Sequence, residues 1–214
     1  MASELLNWIQ ISLNLFSQSN TRIVWNLFLA LIPLVLSFYL FRPSVTRNVL
    51  WWAIFLIFAA FLPNAPYILT DTIHIIELSH QNYPTSAVLL ILIPQYILFV
   101  LGGFEVYVIS LMRLHNYLIY LKQEKYLMGV NAIAHGLCAV GIYLGRFERF
   151  NSWDLLTQTD TVILTTFEDL LDVQRIFSLA IAFILLWVLF EITKLANTRL
   201  SNRFRDHNSA QAIP

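Results

Sequence analysis

Apolar residues in this chain come in long uninterrupted runs, not in the short alternations of a half-buried strand or the one-sided stripe of a soluble helix. Crossing a hydrocarbon core of about 30 Å takes roughly 20 apolar residues in a helix, which satisfies its backbone groups within one segment. Five stretches meet that requirement. The first is 23–41, flanked by Arg22 and Arg42, with Pro33 as an expected kink. The second, VLWWAIFLIFAAFL, is short and is placed at 44–62, because Pro63 and Pro66 stand beyond it. The third, 85–104, follows Pro84 at a favourable first-turn position and ends before Glu105. The fourth, 126–144, is uncharged but holds Asn131 and His135, and its Gly141 and Gly145 form a small-xxx-small pair suited to close packing. The fifth, 176–196, carries Glu191 and Lys194 near its end, where a lysine reaches the interface.

The fold class expected from this pattern is an all-α polytopic transmembrane bundle of about five spans plus an N-terminal interfacial helix. Over residues 1–21, Leu5, Trp8, Ile9, Leu13, Leu15 and Phe16 lean to one helical face, against Asn7, Gln10 and Asn14. That pattern suits an amphipathic helix lying in the interface, a sixth crossing being the alternative. The start lacks the basic region and small-residue site of a cleaved signal peptide. Residues 22–200 form a single transmembrane domain, and 201–214, without apolar periodicity, are expected to be a disordered cytoplasmic tail.

Composition agrees: 58% of the 214 residues are hydrophobic and 12% are charged, against about 25% charged in soluble domains. Thirteen acids balance thirteen bases without a Lys/Arg-rich tract, so nucleic acid is not an expected partner. The single cysteine, Cys138, excludes an internal disulfide and a CxxC pair. Charge also sets an orientation. Arg42, Arg47, Arg113, Lys122, Lys125, Lys194, Arg199, Arg203 and Arg205 fall on one side; Arg22, Arg146, Arg149 and Arg175 fall on the other. The richer side is expected to be cytoplasmic. This places the N-terminus outside and the C-terminus inside a cell (plasma) membrane.

Two polar strings then emerge together at the outer face. In FLPNAPYILTDTIHIIEL (61–78), Asn64 is placed to bond backbone groups freed by the prolines, and Asp71 to cap a short helix that puts His74 one turn away. Asp71 and His74 are the weak catalytic candidates, as a proton-transfer pair; with Glu77 they match no recognised metal motif, so no metal site is expected. In GIYLGRFERFNSWDLL (141–156), Arg146 and Arg149 fall one turn apart if the helix continues, and are candidates for gripping a lipid phosphate on one face. Asn151 or Ser152 would cap a new helix, with Trp153 anchored in the interface and Asp154 following. Within the bilayer, Asn131 and His135 lie one turn apart and must face protein, while Glu105 is placed to reach water or Arg113.

FLPNAPYILTD (61–71) and GRFERFNSWDL (145–155) resemble the two hallmark segments of an uncharacterised prokaryotic multi-pass membrane-protein family, domain of unknown function 1361 (DUF1361). The likeness runs from about residue 25 to 195. It highlights Asn64, Tyr67, Asp71, Arg146, Asn151, Trp153 and Asp154 without assigning any of them a role, and Glu148 stands where relatives often carry an apolar residue. Three functions are compatible with these features. The foremost is a noncatalytic assembly or stabilising factor of a membrane complex. The others are a lipid- or polyprenyl-phosphate-binding protein or enzyme, and a small-solute or proton transporter. No cofactor is expected. The partners are the lipid bilayer and either a membrane protein or an anionic lipid headgroup.

Overall fold

The computed structural model describes residues 2–81 and 83–211, with side chains for 6–81, 83–155 and 157–204. Leu5's side chain and the end of the expected tail, 212–214, lie outside the described residues. Five helices are long and apolar enough to cross a membrane, covering 6–40, 49–79, 85–120, 124–148 and 173–204, and there is no strand among the described residues.

Helix α1 runs from Ala2 to Leu40 through Pro33. The break expected near residue 21 is absent, so the separate interfacial helix is corrected to the first half of a 39-residue helix. Neither proline nor glycine interrupts residues 17–22. The polar groups there find partners: the Ser19 hydroxyl lies 2.7 Å from Gln95 Oε1, and Arg22 lies 3.6 Å from Glu77.

Helix α2 (Val49–Phe61) starts where the Asn48 side chain accepts from the Trp51 backbone N–H, later than the expected residue 44. It does not end at the prolines. Short helix α3 (Asn64–Tyr67), a 3-10 stretch (Ile68–Thr72) and α4 (Ile73–Ser79) carry the same span onward. The prolines are tolerated because they sit at early helical positions and because Asn64 Nδ2 donates to the Phe61 carbonyl. Asp71 lies inside the 3-10 stretch and caps no helix, contrary to expectation.

Three glycines admit this irregular segment into the bundle. A Cβ on Gly141 would come 2.5 Å from Pro63, one on Gly145 would come 2.9 Å from Tyr67, and one on Gly103 would come 2.3 Å from Ile68. The small-xxx-small pair of the fourth span therefore receives Pro63 and Tyr67, themselves one turn apart. Contacts from Phe41 to Phe58, Asn26 to Asp71 and Arg22 to Glu77 align α1 antiparallel to the second span.

The third span begins with α5 (Thr85–Ala87), makes a π turn (Val88–Leu92) and continues as α6 (Ile93–Tyr120), well beyond Glu105. The fourth is α7 (Leu127–Tyr143), extended by a second π turn (Leu144–Glu148). Arg149 stops it at φ 60°, in the left-handed region. Two short helices, α8 (Asp154–Thr157) and α9 (Thr159–Asp169), lead to α10 (Val173–Gln211). The segment expected to be a disordered tail is thus helical from residue 201 through Gln211. Within its most apolar stretch α10 is only 11% buried, against 28–39% for the other spans, so the rest of the chain leaves most of its surface uncovered.

Candidate functional site

The two polar strings meet around a cavity of about 410 Å³. Its apolar part is lined by Leu29 of α1, Ala59 and Ala60 of α2, and Leu137, Val140 and Leu144 of the fourth span. Its polar end is formed by Asn26, Asn64, Tyr67, Asp71, His74, Arg149, Asn151 and Ser152. Leu155 and Val162, contributed by α8 and α9, complete the wall.

Asp71 is 3% exposed, and three groups hold it in place. Asn26 Nδ2 donates to one carboxylate oxygen at 2.5 Å, Arg146 donates to the other at 3.1 Å, and His74 Nε2 lies 3.9 Å away. Arg146 also donates to Thr70 Oγ1 at 2.6 Å and sits over the Tyr67 ring, 5.1 Å from its centroid. Its guanidinium is consumed within the protein and is absent from the cavity wall.

Arg149 is different. It lines the cavity, is exposed, and its side chain has no hydrogen bond or ion pair with any described residue, its backbone N–H alone donating to the Leu144 carbonyl. The expectation that both arginines share a face is corrected. The π turn over 144–148 and the left-handed residue that follows change the angular phase, so Arg146 meets Asp71 and Arg149 meets the cavity.

His74 lines the cavity while its Nδ1 lies 2.7 Å from Glu77 Oε2 and 3.1 Å from Arg22. Glu77 can only accept and Arg22 can only donate, so Nδ1 is shared between two partners of opposite role, and Nε2 lies on the Asp71 side. Ser152 accepts from Asn64 Nδ2 at 2.7 Å, which ties one string to the other. The expected capping of α8 by Asn151 or Ser152 is reversed: the buried Asp154 carboxylate accepts from the Asn151 backbone N–H at 2.7 Å. Trp153 is 39% exposed and lies edge-on to Trp25 at 6.4 Å. The Tyr67 hydroxyl makes no hydrogen bond with a described residue. Asn26 and Arg22 were not singled out in the sequence, although an asparagine within an apolar span is itself a signal.

The other polar candidates lie elsewhere. Tyr107 is 2.6 Å from His135 Nδ1, and His115 Nε2 is 2.5 Å from Asn131 Oδ1, joining α6 to α7. Phe190 and Trp187 of α10 pack on the His135 ring at 5.1 and 5.2 Å. Glu105 accepts from Asn197 at 2.5 Å, so the expected contact with Arg113 is corrected; the Arg113 guanidinium lies over the Phe38 ring.

Five apolar helices, three of which line a cavity with one polar end, define a small multi-pass membrane protein. The chain belongs to the family described as "Protein of unknown function (DUF1361)", whose model matches residues 25–188. Neither a curated protein nor a solved structure matches it.

Proposed function

We propose that this protein binds a membrane amphiphile with an anionic head, the head at Arg149 and the tail in the apolar part of the cavity. The carrying observation is the contrast between the arginines. Arg146 neutralises Asp71, so Arg149 supplies a positive charge to the cavity that no acidic residue takes up among the described residues. Tyr67 and Ser152 bring hydroxyls to the same end, and a charge-assisted hydrogen bond is about twice as strong as a neutral one. The orientation expected from the charge count puts this head site at the extracytoplasmic surface.

Phosphate and carboxylate heads share this chemistry, and binding to the detergent-purified full chain distinguishes them. Phosphatidic acid and palmitate serve as the two anionic probes and phosphatidylcholine as the zwitterionic control. Arg149→Gln should weaken binding of the preferred anion about tenfold or more, on the scale of a hydrogen bond to a charged group. Equal binding of anionic and zwitterionic probes, or an Arg149→Gln variant that binds as well as the parent, refutes the reading.

A second reading, the assembly or stabilising factor, is favoured by the uncovered surface of α10, which leaves room for another membrane protein. Mild-detergent purification that recovers no reproducible partner counts against it. Transport through Glu105, Asn131 and His135 gains no support, since none of the three lines the cavity and Glu105, Asn131 and His135 Nδ1 are hydrogen-bonded within the bundle.

A further inference from the structure

Helix α9 has two faces, and only one of them serves the cavity. Val162 and Asp169 are buried: Val162 lines the cavity and Asp169 pairs with Arg175 at the start of α10. The opposite face presents Ile163, Phe167 and Leu170, with Leu164 and Leu171 alongside, all exposed. Ile163, Leu164 and Phe167 share one side of the helix, a side that begins at the exposed Asp160 and is followed just past the helix end by Leu170 and Leu171, while Thr161 and Glu168 fall to the flank. A contiguous stripe of large apolar residues on so short a helix is a surface that water does not cover well.

The stripe also continues into α10, a membrane span, where Val173, Ile176 and Phe177 are exposed in the first two turns. We infer that α9 lies in the membrane interface with this stripe among the acyl chains. It thereby forms a lipid-embedded lid, and the ligand enters the cavity sideways from the leaflet. The entry route rests on the amphiphile reading above; the location of α9 does not. The occupant of the stripe is lipid because the stripe adjoins in sequence the start of α10, a helix long and apolar enough to span a membrane and largely uncovered by the rest of the chain.

The full chain carries one cysteine, Cys138, which is buried, so a Cys138→Ala background gives clean single-site labelling. A fluorophore placed through Phe167→Cys in phosphatidylcholine vesicles should be quenched several-fold more by acyl-brominated lipid than one placed through Thr161→Cys. Aqueous iodide should give the reverse order. Iodide quenching of the Phe167 site equal to that of the Thr161 site overturns the location. Shielding from both quenchers also overturns it, since protein then covers the stripe. Leu164→Cys repeats the test should Phe167→Cys fail to fold.

For entry, Phe167→Asp should load fluorescent phosphatidic acid from the host vesicle several-fold more slowly at unchanged equilibrium binding. Equal loading rates overturn leaflet entry. Loss of all amphiphile binding by the parent chain, with lipid quenching of Phe167 intact, removes the proposed function and leaves the position of α9 standing.

Discussion

Two polar clusters are built into this bundle, one between α6 and α7 and the other where α1, the proline segment and the end of the fourth span meet. In the first, His135 is engaged by Tyr107 and Asn131 by His115, and aromatic rings of α10 close over them. In the second, the buried carboxylate of Asp71 is satisfied, but the Arg149 side chain and the Tyr67 hydroxyl have no hydrogen-bond or ion-pair partner among the described residues and border an open cavity. A polar residue inside a membrane domain is a functional candidate by default. His135 Nε2 is buried without a partner, but it is enclosed by packed helices and does not line the cavity. The contrast therefore refines the rule by place: unused hydrogen-bonding capacity that borders a cavity points to a ligand, whereas polar groups enclosed between packed helices point to helix packing.

The comparison can be broken at four places, in order of expected effect. Arg146→Ala leaves the buried Asp71 carboxylate without its cation and should destabilise the protein by about 3–5 kcal/mol. Adding Asp71→Asn should recover part of that loss, read from unfolding in mixed detergent micelles. Failure to recover would mean that Arg146 acts through its contacts with Thr70 and Tyr67 instead.

Gly103→Ala drives a methyl into Ile68 and should cost about 1–3 kcal/mol in the same assay. A neutral result would show that the proline segment yields easily. In the inner cluster, Tyr107→Phe removes one interhelical hydrogen bond and should cost about 0.6 kcal/mol, the average for such bonds in a membrane protein. A loss several times larger would give that cluster more weight than packing explains. Arg149→Gln should change stability by less than about 0.5 kcal/mol, as expected for an exposed side chain without partners, while reducing anion binding. Unfolding midpoints that fall as far as those of Arg146→Ala would erase the distinction between the arginines.

Much of this was legible in the residue order. Runs of apolar residues located five spans, since the length demanded by a bilayer leaves few alternatives. Convergence of the two strings followed from both trailing spans that run in the same direction. Gly141 and Gly145 announced a close approach, though not that Pro63 and Tyr67 would make it. What was hidden depended on angular phase and on partners distant in sequence. A π turn cannot be read from apolar periodicity, so Arg146 and Arg149 were assigned one face. Asp71 resembled a helix cap because nothing local reveals that Asn26, 45 residues earlier, meets it. The continuity of α1 was hidden for a related reason: Arg22 bounds the apolar run from 23 until Glu77, distant in sequence, is brought beside it.

Only two described non-glycine residues have positive φ, Lys122 and Arg149, and each stands just past the end of a span's helix. At such a position glycine is the residue the backbone prefers. Arg149→Gly should therefore raise thermostability, and a library selected only for survival in detergent would drift toward glycine there. Such a selection would discard the cavity's unpaired charge while appearing to improve the protein.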